Sequence, residues 1–328
     1  MAELKVGTVM EWRTLSPILA TFRLMAQDGD RFPDYKPGQY IALKREDCRL
    51  TRRETGPDGR ARYVPVLDEQ GWPKRGPVTH SYSIASAPYE TRERGHLEFY
   101  VVLESDEHGE PGRLTESLFR IHPPEDEKIT YVSRIVGGFT LYKRANGFGS
   151  ALLVGTGTGL APFVSMIRQL HHDAGEGRTD GVRYTLLHTN RTYEELAYHQ
   201  ELLAIEAARG FDFVYVPSVS RPRTRDLEDP RLGRGRANNL LRDVFDLPLR
   251  EEEDLRAAEA RDEDTAAARA ALERAVRPTL PRHLSREELR RRLDPAETVV
   301  LTCGNPSLMA DIKAIADANR MRFEKEDW

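Results

Sequence analysis

The sequence is poor in cysteine, with only Cys48 and Cys303 among 328 residues. Two distant thiols are too few for a disulfide framework, a thiolate iron-sulfur cluster or a structural zinc site. Long apolar runs are also missing, since neither the start MAELKVGTVMEWRTLS nor any later stretch approaches the roughly 18 apolar residues that cross a bilayer. We therefore expect a cytoplasmic protein without a metal site and without membrane association.

An excess of charge of one sign is missing as well. The formal net charge is -4, and the 31% of charged residues mix both signs along the chain. This balance excludes a general attraction to nucleic acid or anionic lipid, so a basic partner-binding surface can only be local. The length is sufficient for two domains that each bury a core, while nothing in the sequence indicates an oligomeric state.

The pattern of predicted secondary structure changes near the middle of the sequence. Short β-type runs separated by Gly and Pro predict an antiparallel barrel, and they lie at 5–10, 19–25, 39–44, 81–85, 98–103 and 129–132. Later apolar runs alternate with helical stretches and predict a parallel, Rossmann-like sheet, and they lie at 151–154, 184–187, 211–216 and 298–301. We predict a β-barrel domain over 1–148 and an α/β domain over 149–328.

Two segments are predicted to be insertions into this plan. Residues 45–78 are rich in Arg, Gly and Pro, which predicts a long surface loop with a small hairpin at Asp58-Gly59. Residues 249–294 are rich in Ala, Arg and Glu, which predicts two solvent-facing helices separated near 278–281. The second insertion suggests no function beyond a docking or oligomer surface.

The run from His80 to Pro88 places a tyrosine beside hydroxyl groups on one strand. Tyr82 between Ser81 and Ser83 offers an aromatic face and hydrogen bonds, which are what a flavin ring needs. The alternative is a barrel strand whose tyrosine packs in the core. Farther along, the strand 98–102 leads to a turn in which Thr115, taken alone, is best explained as the N-cap of a helix starting at Glu116.

A glycine-rich turn follows the first apolar run of the second half. Gly155-Thr156-Gly157-Thr158-Gly159 comes directly after the strand, and an amphipathic helix over 163–170 follows it. Strand, glycine turn and helix in this order are typical of a dinucleotide phosphate site, with Pro162 helping to begin the helix. Leu160 stands where the strict G-x-G-x-x-G pattern has its third glycine, and a tight turn without a ligand is the alternative.

Arginines follow the next two strands of this half. NAD sites usually have a carboxylate after the second strand, but here that strand ends at Arg191, and Ser220, Arg221 and Arg236 follow the third. Arginine binds a phosphate through two charge-assisted hydrogen bonds, whereas a carboxylate repels it. The pattern favours NADP(H), with a solvated arginine surface as the alternative for Arg221 and Arg236.

The last apolar strand ends in Cys303-Gly304-Asn305-Pro306, with Met309 in the following helix. A glycine at a strand end lets the backbone approach a planar ring closely. A lone cysteine at such a position is, by itself, more often a small packed residue.

Taken in order, these motifs resemble the ferredoxin (flavodoxin)-NADP(+) reductase family of bacterial type. The matching patterns are R-x-Y-S-x-x-S with His80 in place of Arg, G-T-G-x-G/A-x-x-P and C-G-N-P-x-M. The resemblance implies an FAD-binding barrel and an NADP(H)-binding Rossmann-like domain. It further implies hydride transfer between NADP(H) and FAD, and single-electron exchange with ferredoxin or flavodoxin.

The resemblance also assigns roles to individual residues. Tyr82 is expected to stack on the flavin, Ser83 to bond near its N5 atom, and Cys303 to align the nicotinamide. His80 replaces the arginine that pairs with the FAD pyrophosphate, and its neutral imidazole offers one donor, so Arg113 is a candidate to assist. The expected catalytic residues are Ser83, Cys303, Glu326 and Trp328, with terminal Trp328 covering the flavin face. The expected cofactor-binding residues are His80, Tyr82, Ser83, Tyr100, Val101, Arg113, Leu114, Thr115, Gly155, Thr156, Gly157, Thr158, Pro162, Arg191, Ser220, Arg221, Arg236, Cys303, Gly304, Met309 and Trp328.

Two other functions remain open at this point. One is a reductase component that feeds an oxygenase or a haem protein through a free-standing partner, because the chain lacks the cysteines of a fused ferredoxin domain. The other is a non-catalytic flavin- or nucleotide-binding interaction module. The basic residues of 44–62, including Lys44, Arg45 and Arg49, are either a surface that steers an acidic carrier or a solvated loop.

Overall fold

The computed structural model describes residues 3–55, 61–105 and 109–326. It divides into two compact units, Met1–Gly138 and Phe139–Trp328, ten residues before the predicted division. Residues 139–148 pack within the second unit. Phe139 stacks edge to face on Phe163 at 5.7 Å, and the Arg144 guanidinium lies 2.6 Å from the Glu324 carboxylate.

The first unit is built on a six-stranded antiparallel sheet in the order β6-β3-β8-β1-β2-β7. The amide of Ala85 donates to the carbonyl of Glu98 at 2.8 Å, so the chain after β6 returns to β7 and the sheet curves toward a barrel. The predicted antiparallel barrel is therefore confirmed. The strands and helices of this unit are β1 (Leu4–Ser16), β2 (Leu19–Ala26), β3 (Tyr40–Arg49), β4 (Thr51–Thr55), β5 (Ala61–Pro65), β6 (Arg75–Ser83), α1 (Pro88–Arg94), β7 (His96–Val102), α2 (Arg113–Leu118) and β8 (Lys128–Val132).

Alternation of apolar and polar residues turns one face of each strand toward the core of this unit. Phe22 and Phe99 stack there with ring centroids 5.0 Å apart. The short helix α2 buries Leu114 and Leu118 in the same core, and this packing fixes the position of Arg113 at its first turn.

The predicted loop over 45–78 is shorter than expected, while a hairpin is present on either side of Asp58-Gly59 as predicted. β3 continues to Arg49, β4 and β5 form a separate hairpin, and β6 already begins at Arg75. The turn of that hairpin, with Asp58-Gly59, lies outside the described residues. The alternation in β3 is hidden by its charged composition, because Arg45 points inward.

Arg45 is 7% exposed, and its guanidinium donates to Ser117 Oγ at 3.0 Å and to Asp126 Oδ1 at 2.8 Å. A charge bound in this way holds the barrel together. Arg45 is therefore not part of an exposed basic surface for a carrier.

The second unit is a parallel six-stranded sheet in the order β12-β11-β10-β9-β13-β14, which confirms the predicted Rossmann-like domain. β9 lies between β10 and β13, where the strand order reverses, and the strands around it are buried on both faces. In such sheets, ligands bind at the carboxyl ends of the strands near this reversal. The elements are α3 (Leu141–Arg144), β9 (Ser150–Thr156), α4 (Ala161–Gly175), β10 (Arg183–Asn190), α5 (His199–Ala208), β11 (Phe213–Val219), β12 (Gly233–Arg234), α6 (Ala237–Val244), α7 (Arg250–Ala260), α8 (Ala266–Glu273), α9 (Arg286–Arg292), β13 (Thr298–Cys303), α10 (Pro306–Ala318) and β14 (Arg322–Lys325).

The insertion over 249–294 contains three helices, α7, α8 and α9, where two were predicted. The expected break near 278–281 is present between α8 and α9. A second break separates α7 from α8, because Asp262 adopts a left-handed backbone with φ 55° and Asp264 accepts a hydrogen bond from the Ala266 amide at 2.9 Å. Local capping thus ends a segment whose composition favours helix throughout. No helix in the described parts of the chain is long and apolar enough to cross a membrane.

Candidate functional site

The predicted flavin-binding residues of β6 lie at the end of a strand paired with β3. Ser83 pairs with Tyr40 and Tyr82 with Ile41 in this register. Tyr82 is half-buried against the barrel core, whereas Ser83 is buried. Burial raises the pKa of the Tyr82 phenol far above its ordinary value, so the ring stays neutral. A neutral, partly exposed aromatic face suits stacking on a planar ligand.

His80 and Arg113 influence each other electrostatically although 33 positions separate them in the numbering. Desolvation and then the Arg113 charge hold the pKa of His80 below its ordinary value, against an opposing effect of Glu104. The imidazole is therefore neutral near pH 7. Arg113 forms no ion pair with a carboxylate among the described residues, so its permanent charge is available to an anion beside His80.

Thr115 is not the N-cap of α2 that the sequence alone predicts, because the helix begins two residues earlier, at Arg113. Gly112 occupies the cap position, and Thr115 lies inside the first turn with its hydroxyl donating to the Gly112 carbonyl at 3.2 Å. The side chains of Leu114 and Val101 belong to the barrel core, and Tyr100 is also buried. Only backbone groups of Leu114 and Val101 can therefore contact a cofactor.

Two glycine turns of the second unit pack directly on each other. A Cβ atom on Gly159 would lie 2.2 Å from the carbonyl oxygen of Cys303, and one on Gly304 would lie 2.2 Å from Thr156 Oγ1. Gly304 also has a φ of 134°, which is open to glycine and strained for other residues. The turn after β9 and the turn after β13 therefore form one unit, and α4 begins beside it with Pro162 in its first turn.

Cys303 and Glu326 meet at the end of β13. The thiol donates a hydrogen bond to Glu326 Oε2 at 3.1 Å, and both side chains are buried. Burial, followed by the Glu326 charge, raises the pKa of Cys303 well above its ordinary value. The thiol stays protonated at neutral pH, which excludes a thiolate nucleophile. Trp328 lies outside the described residues, and its role stays a prediction.

A cleft of about 1150 Å³ opens at the carboxyl ends of β9, β10 and β11. Six predicted cofactor residues line it together, namely Thr156, Gly157, Arg191, Ser220, Arg221 and Arg236. Four other predicted cofactor residues are buried and do not line the cleft, namely Gly155, Pro162, Cys303 and Met309. Gly157 has a positive φ of 55° and open space where its Cβ atom would be, so a ligand can approach its backbone. The fit to a dinucleotide therefore rests on Thr156, Gly157 and the arginines.

The predicted phosphate-binding arginines differ in how they are held. The Arg191 guanidinium forms two hydrogen bonds with buried Glu195, and Arg236 lies 3.6 Å from Glu251. Arg221 has no carboxylate partner among the described residues, so its charge is the least compensated of the three.

Several residues of the cleft were not predicted as site residues. Asn305 caps α10 by accepting hydrogen bonds from Ser307 N at 3.0 Å and Leu308 N at 3.2 Å, and it also lines the cleft. Asn before Pro at a helix start is a capping pattern that could have identified it. The inserted helices supply a further wall through Arg250, Glu251, Asp254, Ala271, Arg274, Ala275 and Val276. That contribution depends on tertiary packing and has no sequence motif.

Comparison with known proteins agrees with this geometry. Residues 153–255 match the family model of the oxidoreductase NAD-binding domain, while no curated protein matches the chain in sequence. A ferredoxin NADP+ reductase from Neisseria gonorrhoeae with bound FAD and NADP has a similar structure, with 18% identity, a TM-score of 0.57 and 99% of each chain covered.

Two further solved structures have the same fold. The FAD/NAD-binding domain of nitric oxide dioxygenase from Vibrio cholerae is 16% identical, with a TM-score of 0.55 and 98% of each chain covered. The cytochrome P450 reductase GcoB of Amycolatopsis is 18% identical, with a TM-score of 0.54, and the match covers 100% of this chain and 71% of that one. At these identities the likeness establishes the two-domain fold.

Proposed function

We propose that the chain is an FAD-dependent oxidoreductase. It has the two-domain fold seen in a ferredoxin NADP+ reductase, and its second unit matches the oxidoreductase NAD-binding domain. We propose that it uses NADP(H) and exchanges electrons with a small carrier such as ferredoxin or flavodoxin. The observation that carries the proposal is the cleft at the carboxyl ends of β9–β11, where an open glycine turn and Arg221, which has no carboxylate partner in the described parts of the chain, line one cavity.

The first unit supplies groups that fit FAD. FAD, when bound, would accept hydride from NADPH and pass electrons on one at a time. Tyr82 offers its ring face, and Ser83 follows it at the strand end. The backbone amides at the start of α2 and the positive charge of Arg113 suit the pyrophosphate, while His80 adds a neutral donor.

The second unit supplies groups that fit NADP(H). The backbone at Gly157 can approach a pyrophosphate closely, and Ser220 with Arg221 suits a 2′-phosphate. Cys303 is held neutral, so it places no charge beside a nicotinamide ring. These residues hold and orient the reactants, which is the main source of catalysis in a hydride transfer that needs no acid or base from the protein.

Anaerobic titration with NADPH tests the proposal. We expect the visible flavin absorbance of the purified protein to bleach, and ferredoxin or flavodoxin to be reduced in the presence of catalytic amounts of the protein. Ferricyanide serves as the control acceptor, because it needs no docking surface. Absence of bleaching would contradict an NADPH-dependent enzyme and favour a binding module. Bleaching with ferricyanide reduction but no reduction of either carrier would contradict only the choice of carrier.

A further inference from the structure

The geometry points to a role for the inserted helices α7 and α8 in binding the cofactor. We propose that they form the outer wall of the cleft and that Arg274, at the end of α8, is a ligand of the 2′-phosphate of NADP(H) together with Arg221. This inference rests on the proposed use of NADP(H). It adds a specificity residue from a segment for which the sequence indicates only a docking or oligomer surface.

The wall is firmly attached at α7. Glu251 accepts a hydrogen bond from Asn239 Nδ2 at 2.8 Å, and the Arg250 amide donates to Asn239 Oδ1 at 3.0 Å. Arg242 of α6 lies 2.8 Å from Glu253 and 2.6 Å from Asp311. Although burial alone favours the protonated acid, hydrogen bonds from Arg242 and Asn238 hold the pKa of Asp311 below its ordinary value. α7 is thus held against α6 and α10 by charged groups that stay ionised.

The chain that follows α8 is attached to the sheet. Thr279 exchanges two backbone hydrogen bonds with Arg234 of β12, at 2.8 and 3.0 Å. A Cβ atom on Gly235 would lie 3.1 Å from the Cα atom of Pro278, so the two backbones are in contact. Gly235 immediately precedes Arg236. The segment that carries Arg274 is therefore anchored beside Arg236, which lines the same cleft as Ser220 and Arg221.

Ion pairing within the cleft distinguishes Arg274 from most of the other arginines that line it. Five arginines and three carboxylates line the cleft, namely Arg191, Arg221, Arg236, Arg250 and Arg274 with Glu251, Asp254 and Asp311. Arg191, Arg236 and Arg250 each pair with a carboxylate. Arg221 and Arg274 have no carboxylate partner among the described residues. The surplus of two positive charges matches a phosphate monoester, which carries about -1.5 to -2 at pH 7.

Binding of two nucleotides to the full-length protein tests the inference. Adenosine 2′,5′-bisphosphate and adenosine 5′-monophosphate differ only in the 2′-phosphate, and their affinities are measured by calorimetry at low ionic strength. We expect Arg274→Gln to weaken binding of the bisphosphate about tenfold, as expected for loss of a charge-assisted hydrogen bond, and to leave the monophosphate within about twofold. Arg277→Gln is the matched control, since Arg277 is exposed on the same segment and does not line the cleft. Arg274→Lys, which keeps the charge, should restore part of the loss.

The outcomes separate the inference from the proposed function. If the unmodified protein prefers the bisphosphate and Arg274→Gln changes nothing, the role of Arg274 is wrong and the use of NADP(H) stands. An equal loss for both nucleotides would also overturn the inference, because Arg274 would then act on the 5′-phosphate. If the unmodified protein has no preference for the bisphosphate, the proposed use of NADP(H) fails and the inference fails with it.

Discussion

At the scale of single residues, ion pairing decides which charged groups are free to bind a ligand. Arg191 and Arg221 both follow sheet strands and carry the same group, but Arg191 compensates the buried carboxylate of Glu195. Removing one partner of a buried pair leaves an unpaired charge, so Arg191 is committed to the fold. The sequence predicts both arginines at the ends of neighbouring strands, and the structure places both in one cleft. The sequence could not distinguish them, because their partners are set by packing.

Arg221 is expected to distinguish NADPH from NADH. Arg221→Gln should raise the KM for NADPH at least tenfold, because a charge-assisted contact with the 2′-phosphate is lost, and should leave the KM for NADH within about twofold. Steady-state reduction of ferricyanide measures both values. Arg225→Gln is the control, since Arg225 pairs with Glu194 and does not line the cleft. Equal losses with both nucleotides would contradict the assignment.

The two thiols are expected to be unreactive in the folded protein. Cys48 and Cys303 are both buried, and desolvation is the largest cause that raises the pKa of each. Because the thiolate is the reacting form, a disulfide reagent at pH 8 should modify neither residue within minutes. Both should react at once after unfolding in guanidinium chloride. Rapid modification of Cys303 in the native protein would show that its contact with Glu326 does not protect it.

At the scale of elements, the close contact between the two glycine turns of the second unit is the most constrained feature. The sequence shows both turns and their glycines, and it places each at the end of an apolar strand. Their mutual contact follows only from the strand order, in which β13 pairs with β9 although α4 to α9 separate them along the chain. The hairpin of β4 and β5 was predicted from Asp58-Gly59 alone, whereas the bounds of its strands were not, since these arginine-rich strands lack the apolar alternation that marks a half-buried strand.

Gly159→Ala is expected to separate the two turns. The added Cβ atom would lie 2.2 Å from the Cys303 carbonyl oxygen, and backbone shifts of this kind cost about 1–3 kcal/mol. Urea unfolding should show that loss, together with weaker NADPH binding. Gly175→Ala is the control, because its Cβ atom would meet nothing within 4 Å. A stable Gly159→Ala variant with normal NADPH binding would contradict the tight contact.

At the scale of the whole molecule, a buried polar cluster makes stability depend on pH. The Tyr215 hydroxyl lies 2.9 Å from His188 Nδ1 and 3.2 Å from His199 Nδ1, and both imidazoles are buried. Desolvation lowers the pKa of His188 to about 3 and that of His199 to about 4. In the unfolded chain both groups titrate near pH 6.5, so the unfolded state binds more protons below that pH.

The stabilisation from these neutral histidines is complete above pH 6.5 and is lost as the pH falls toward about 4. Each histidine should lower the free energy of unfolding by up to ~1.4 kcal/mol per pH unit in that range. Urea unfolding from pH 7.5 to 4.5 measures the slope, and hydrogen exchange in β10 and β11 localises it. His199→Gln should reduce the slope by one proton, whereas His283→Gln, at an exposed position, should not. Equal slopes for the two variants would contradict the depressed pKa of His199.

The inserted helices also bear on how the second unit folds. β13 must find β9 across a loop that contains β10 to β12 and the helices between them, so the central pairing of the sheet closes late and over a long chain. The entropy of closing such a loop rises only by ~0.6 kcal/mol for each doubling of its length. Residues 249–294 add less than one doubling, so their presence hardly changes the closure entropy. The connection between β9 and β13 can therefore carry inserted helices that line the cleft at almost no cost to the stability of the sheet.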